Sequence, residues 1–458
     1  MPHAVHDARS STLLALLSVL FISIPAQAQS ITAPPAVDVR MYDIVDAVSP
    51  DRILADIQTL AGFGTRNTFS DTLSATRGIG AARRWIASEF EAIGSACGGC
   101  LEVRTQTSRI EAGSSSRAVR DVEVVNVLAI QRGSLHPDRY VIMAGDIDSR
   151  ASSATDDSTD APGANDNASG MAGVLEAARV LSAYRFPASI VYVGLSGEEQ
   201  GLWGGAHMAQ VAVDAGWDVI GVLNNDMISN IEGIDGVIDN RAFRIFSEPT
   251  PVTESERDRN RRRFTGGEVD GVSRQLARYV HRMTQTYMPE MNPVLIYRLD
   301  RFGRGGHHRP FNDAGFAGIR IMEMHEHYDR QHQDIRMEDG IAYGDVVEGV
   351  NADYAARLTA VNAITLAGLA AAPRQPGEVR VRGAVQPSTT LEWRAVDDPH
   401  LAGYLVHWRD TTAPQWQYSR FLGPETTSYT LEGVVIDNYL FGVSSVGKDG
   451  NQSVVVFP

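Results

Sequence analysis

Apolar positions along this chain fall into two textures. Between about residues 51 and 369, runs with helical spacing alternate with short β-branched runs. Ile79, Ala82, Ile86, Phe90 and Ile93 recur every three or four residues, which predicts a helix over 76–93 with Gly94 as its stop. The same spacing predicts helices over 51–61, 168–181, from about 202, 269–287 and 354–369. Residues 122–130, 139–145, 189–195, 219–223, 294–297 and 318–322 read as buried strands. Strands alternating with helices predict an α/β domain with a mostly parallel central sheet flanked by helices.

After Pro373 and Pro376 the texture changes. Residues 389–396, 401–409, 417–422, 428–431 and 439–446 are short alternating runs punctuated by Trp393, Tyr404, Trp408 and Tyr439. These predict a C-terminal all-β sandwich over 377–458, behind a catalytic-sized domain over 40–372. At the other end, Arg9, an apolar run over 13–24 and Ala26-Gln27-Ala28 read as a signal peptide over 1–28. A secreted or periplasmic protein is therefore expected. No later stretch is expected to cross a membrane.

Composition narrows the function. The formal net charge of -15 over 458 residues disfavours nucleic acid and anionic membrane as partners. It suits a protein that holds divalent metal or meets cationic peptide N-termini. The two cysteines, Cys97 and Cys100 in CGGC, are expected to form a local disulfide in an exported chain.

The candidate chemistry sits after strands. Asp146, Asp148, Glu198, Glu199 and Asp226 all follow predicted strands, where open α/β sheets bind ligands. Asp166 lies in the loop GANDNASG, whose Gly163, Asn165 and Asn167 permit unusual backbone. A two-metal hydrolase needs a bridging carboxylate, terminal ligands, and one acid left free as a base. Asp166 suits the bridge, and Asp146 and Asp226 are available as terminal ligands. Adjacent Glu198 and Glu199 can divide base and ligand duties, and His332 in QHQD offers an imidazole with Asp334 behind it.

At this point the chain resembles the zinc-dependent exopeptidase family of bacterial two-zinc aminopeptidases, glutamate carboxypeptidase and glutaminyl cyclase. DIDSR, GANDNASG, GEEQGLWG, NNDM, GRGGHHRPF and QHQD stand in the family's order and cover most of 51–369. The resemblance implies Glu198 as general base and Asp148 as the aspartate that orients the site. It implies metal ligation by Asp166, Glu199, Asp226 and His332, with zinc at two sites. The C-terminal segment, with LEW, GYLVHW and YLFGVSSVGKDGNQS, resembles a fibronectin type III module.

Two departures stand out. Where the family has His-x-Asp, this chain has Asp146-Ile147-Asp148, so an imidazole ligand becomes a carboxylate. An all-oxygen first site is expected to be weaker, or to prefer manganese or magnesium. Where the family often has Asp before His-x-Pro-Phe, this chain has His307, and the two exchanges could compensate. The alternative is an exposed loop histidine. His325 and His327 are expected to line the cleft beside His332, and Asp156, Asp157 and Asp160 to form a solvated acidic loop.

The function expected is a metal-dependent exopeptidase acting on peptides, an aminopeptidase first. The alternatives are a glutaminyl cyclase-like acyl transferase and a metal-poor binding protein.

Overall fold

The structure, a computed structural model, describes Met1 and residues 32–458. The expected signal peptide therefore lies, apart from Met1, outside the described residues.

Eight strands form the central sheet: β1 (Leu101–Ile110), β2 (Val122–Gln131), β3 (His136–Asp146), β4 (Ala188–Leu195), β5 (Asp218–Asn225), β6 (Ala242–Ser247), β7 (Asn292–Ile296) and β8 (Gly318–Glu323). Their order is β1-β2-β4-β3-β5-β8-β6-β7. The middle four, β4, β3, β5 and β8, run parallel. Antiparallel pairing begins outside them, β2 against β4 and β6 against β8. Every residue of β4 is buried, as expected for a strand covered on both faces. β1 escaped the hydrophobic reading because it is an edge strand whose sequence, LEVRTQTSRI, is mostly polar and partly exposed.

The helices cover this sheet. Gly78–Ala96 runs through Gly94 and does not stop there. A Cβ on Gly94 would stand 3.3 Å from the Leu101 side chain, so that glycine serves close packing on the first residue of β1. The Cys97–Cys100 disulfide closes the turn between the two elements. The 20-residue helix Ala352–Ala371 is, contrary to expectation, long and apolar enough to cross a membrane. It is buried in the protein core, against the helix Gly170–Leu181.

The C-terminal segment forms two three-stranded antiparallel sheets. Leu391, Trp393, Tyr404, Val406 and Phe441 fill the space between them. Ion pairs fix this sandwich to the α/β body. Asp270 of the body accepts from Arg409 of the sandwich at 2.8 Å on both oxygens, and from Arg278 at 2.7 Å. Trp416 Nε1 donates to Gln275 at 3.2 Å beside them.

Candidate active site

The parallel strands β4, β3 and β5 deliver their carboxyl ends to one edge of the sheet. Asp146 is the last residue of β3, and Asp226 directly follows β5. After β4 the chain turns through Gly197 at φ 75°, then starts a short helix, Glu198–Gly201. This left-handed turn favours glycine, and it places both glutamates in the lining of the cleft.

Asp166 lies in a distorted turn, Ala164–Ser169, entered through Gly163 at φ 51°. Four carbonyls secure this region through one fully buried side chain. The Arg66 guanidinium donates to Ile147 O at 2.8 Å, Leu60 O at 3.0 Å, Gly163 O at 3.0 Å and the Pro162 carbonyl. The Asp166 turn is thus tied to the end of β3. From the other side, Asp345 accepts the N–H groups of Asn165 at 2.8 Å and Asp166 at 2.6 Å.

Three of the expected ligands converge. Atoms of Asp166, Glu199 and His332 lie within 4.8 Å of one another. His332 Nε2 is 3.0 Å from Asp166 Oδ2 and 3.3 Å from Glu199 Oε1. Burial opposes charge on this imidazole, but the Glu199 and Asp166 carboxylates outweigh it and push its pKa up to about 10. Burial likewise opposes ionisation of Asp166, yet the His332 hydrogen bond holds its carboxyl well below the usual range. Two carboxylates and an imidazole around one point, beside an open cleft, suit a catalytic zinc with room for water.

Glu198 lines the same cleft, of ≈ 390 Å³, with Glu199, Asp166, Asp226 and His332. Burial first, and the Glu199 carboxylate second, hold its carboxyl well above the usual range. A carboxyl shifted this way beside a cleft is a candidate functional group. Asp148 is fully buried and accepts the backbone N–H groups of Glu198 at 3.2 Å and Glu199 at 3.1 Å. It holds the backbone of the pair in place.

Asp146 and Asp226 stand differently. Among the described residues, Asp166, Glu199 and His332 are the one group with three ligating atoms so close, and neither aspartate belongs to it. Asp146 Oδ1 lies 2.5 Å from His307 Nδ1, and Oδ2 accepts from Asn167 Nδ2 at 2.6 Å. His307 is fully buried rather than exposed on a loop, so positions 146 and 307 do meet. Burial raises the Asp146 carboxyl well above its usual value and lowers the His307 imidazole to about 4. Burial thus disfavours charge on both partners. Asp226 Oδ2 accepts from Arg320 Nη2 at 2.7 Å, and burial raises its pKa to about 6 against that pairing.

Other expectations fare unevenly. Asp334 does not support His332; it accepts the Ser152 N–H at 3.0 Å on the exposed surface. His325 and His327 are not among the residues lining the cleft. Asp156 caps its own loop by accepting from Ser158 and Thr159, and Asp157 and Asp160 pair with Arg120 and Arg77. Arg66, Arg320 and Asp345 were missed. Arg320 leaves a signal, a cation inside the run GIRIM of a buried strand. Asp345 leaves none, since a lone acid in a loop is ordinary.

Carboxylates and an imidazole gathered at the carboxyl end of a mostly parallel sheet define the class of metal-dependent α/β hydrolases. Comparison with known proteins agrees. Residues 126–350 match the profile of Peptidase family M28. A probable zinc metalloprotease of Leptosphaeria maculans is 40% identical over 93% of this chain and 98% of its own length. Another, from Pyrenophora tritici-repentis, is 36% identical over 92% of this chain and 98% of its own. At that coverage the chain belongs to peptidase family M28 and is a metallopeptidase. The LapA aminopeptidase of Legionella pneumophila shares the fold, with TM-score 0.53 and 15% identity, over 79% of this chain and 78% of that one.

Proposed function

We propose that this metallopeptidase is an exopeptidase that releases residues from peptide N-termini, and that it acts outside the cytoplasm. The observation that carries the reading is the Asp166–Glu199–His332 group with Glu198 free beside it on the same cleft. Asp166, Glu199 and His332 would hold a zinc ion, which would supply Lewis acidity toward the scissile carbonyl and ease deprotonation of water. Glu198, on the same cleft, takes the proton from the attacking water and passes it to the leaving amine. Asp148 keeps Glu198 and Glu199 in register through their N–H groups. The Cys97–Cys100 disulfide supports an oxidising compartment.

A second reading, a carboxypeptidase, is favoured by the five arginines of the cleft: Arg117, Arg150, Arg301, Arg304 and Arg309. Guanidinium groups match a C-terminal carboxylate. Incubation with an unblocked peptide, with N-acetyl and C-amide versions alongside, separates the readings by which block stops release. Glu198→Gln should retain zinc and lose about 10²-fold or more in kcat. Full activity in that variant would rule out the base.

A further inference from the structure

A second cation beside the Asp166–Glu199–His332 group would have to draw on Asp146 and Asp226. Asp146 has both oxygens engaged by buried side chains, and Asp226 has one of its two engaged, leaving the buried Asp226 Oδ1 as the one oxygen of the pair without a protein partner. Asp226 Oδ2 is taken by Arg320 Nη2 at 2.7 Å, and Asp146 by His307 at 2.5 Å and Asn167 at 2.6 Å. Arg320 and His307 are fully buried, and Asn167 is 1% exposed. Arg320 is itself locked, with Nη1 donating to Asp300 at 3.2 Å and to Gly305 O at 3.1 Å. Position 146 adds a matter of reach. A carboxylate ends closer to the backbone than the far nitrogen of an imidazole, and Asp146 spends both oxygens on His307 and Asn167 and stays outside the Asp166 group.

The charges point the same way. Asp166, Glu198, Glu199 and Asp226 crowd one cleft, and burying them together requires compensating cations. A guanidinium stays protonated and cannot be removed by a chelator. We propose that this chain holds a single catalytic metal, at Asp166, Glu199 and His332. The buried Arg320 guanidinium, shared between Asp226 and Asp300, offsets the Asp226 charge where a two-metal peptidase holds a first cation. Arg320 is a positioning residue, acting on the cleft through Asp226. The inference rests on the peptidase reading for the reaction served, but its stoichiometry can be measured without any reaction.

The test uses the full chain, stripped with chelator and titrated with zinc by calorimetry, with bound metal counted by mass spectrometry. One equivalent per chain is expected. His332→Ala should remove it, and Asp226→Asn should leave it in place. Two equivalents in the wild type, one of them lost in Asp226→Asn, would overturn the proposal. The charge role is read from Arg320→Lys and Arg320→Gln on a peptide substrate. Losing a fixed charge of this kind costs about 10²-fold in kcat, so the Gln variant should fall by about that much. The Lys variant should keep about a tenth of wild-type kcat, with KM little changed in either. Equal losses in the two would overturn the charge role. Should Arg320→Gln not fold, a loss of about 10²-fold in folded Arg320→Lys would do so as well. One equivalent of zinc without release of terminal residues from peptides would sink the exopeptidase reading and leave the single-metal centre standing. Hydrolysis with two equivalents would do the reverse.

Discussion

Asp345 accepts the backbone N–H of Asp166 across 179 residues of sequence, at 2.6 Å. The shared carboxylate of the metal group is thus aimed by an acid in a distant loop. Burial raises the Asp345 pKa to about 6, against hydrogen bonds from Asn165 and Asp166 that favour the carboxylate. Outer groups that orient ligands typically contribute about 10–100-fold to metal affinity. Asp345→Ala is expected to weaken zinc binding by that factor while leaving the Asp166, Glu199 and His332 side chains intact. Competition with a fluorescent chelator measures it, and an unchanged affinity would show that the turn holds itself.

Zinc uptake should release a proton. The His332 imidazole, with its pKa pushed up to about 10 by Glu199 and Asp166 against the effect of burial, is charged in the metal-free protein at neutral pH. Only neutral imidazole binds metal. About one proton per zinc is therefore expected at pH 8, and affinity should fall about tenfold per pH unit below that. Calorimetry in buffers of different ionisation enthalpy reads the proton count, and zero protons would contradict the assignment.

The cleft is acidic at its floor and rimmed with guanidinium. Arg117 and Arg309 are exposed on that rim. Peptides with Asp or Glu near the scissile bond are expected to exceed their Lys counterparts about tenfold in kcat/KM at low salt, with the gap closing as salt screens the rim. A preference for Lys would show that the rim arginines are neutralised by their own neighbours.

The joint between body and sandwich depends on Asp270, fully buried between Arg409 and Arg278. Removing one member of such a group leaves uncompensated buried charge and costs about 3–5 kcal/mol. Asp270→Ala should lower stability by that much in denaturant unfolding. It should also separate the sandwich transition from that of the body.

Acid should loosen the sandwich first. His407 is buried against Ser444 Oγ at 2.8 Å, and burial lowers its pKa to about 3. An unfolded histidine titrates near 6.5, so the neutral form favours the fold. That contribution is complete above about pH 6.5 and is lost as pH falls toward 3. His407→Asn should flatten the fall in Tm between pH 6.5 and 4. An equally steep fall in the variant would place the acid sensitivity elsewhere.

Local pattern was enough for the elements that bury one continuous face. β3, β4 and the helix Gly170–Leu181 were legible because apolar residues at a fixed period permit few other structures. The acids at strand ends were legible for a related reason: a strand that must be buried exposes its function where it stops. β1 and β6 were not, because their pairing is decided by neighbours rather than by their own residues. Asp334 was misread and Asp345 overlooked, since two loop acids look alike until the fold brings one of them under Asp166.

By itself, the sequence determined the α/β order, the sandwich and the residue types available for metal chemistry, because periodicity and side-chain chemistry are local properties. Only the tertiary structure decided which of those residues share a centre. It set His332 against Asp166 and Glu199, paired Asp146 with His307, and buried Arg320 behind Asp226. Those outcomes depend on distances between segments far apart in the chain, and such distances exist only once the sheet and its loops have packed.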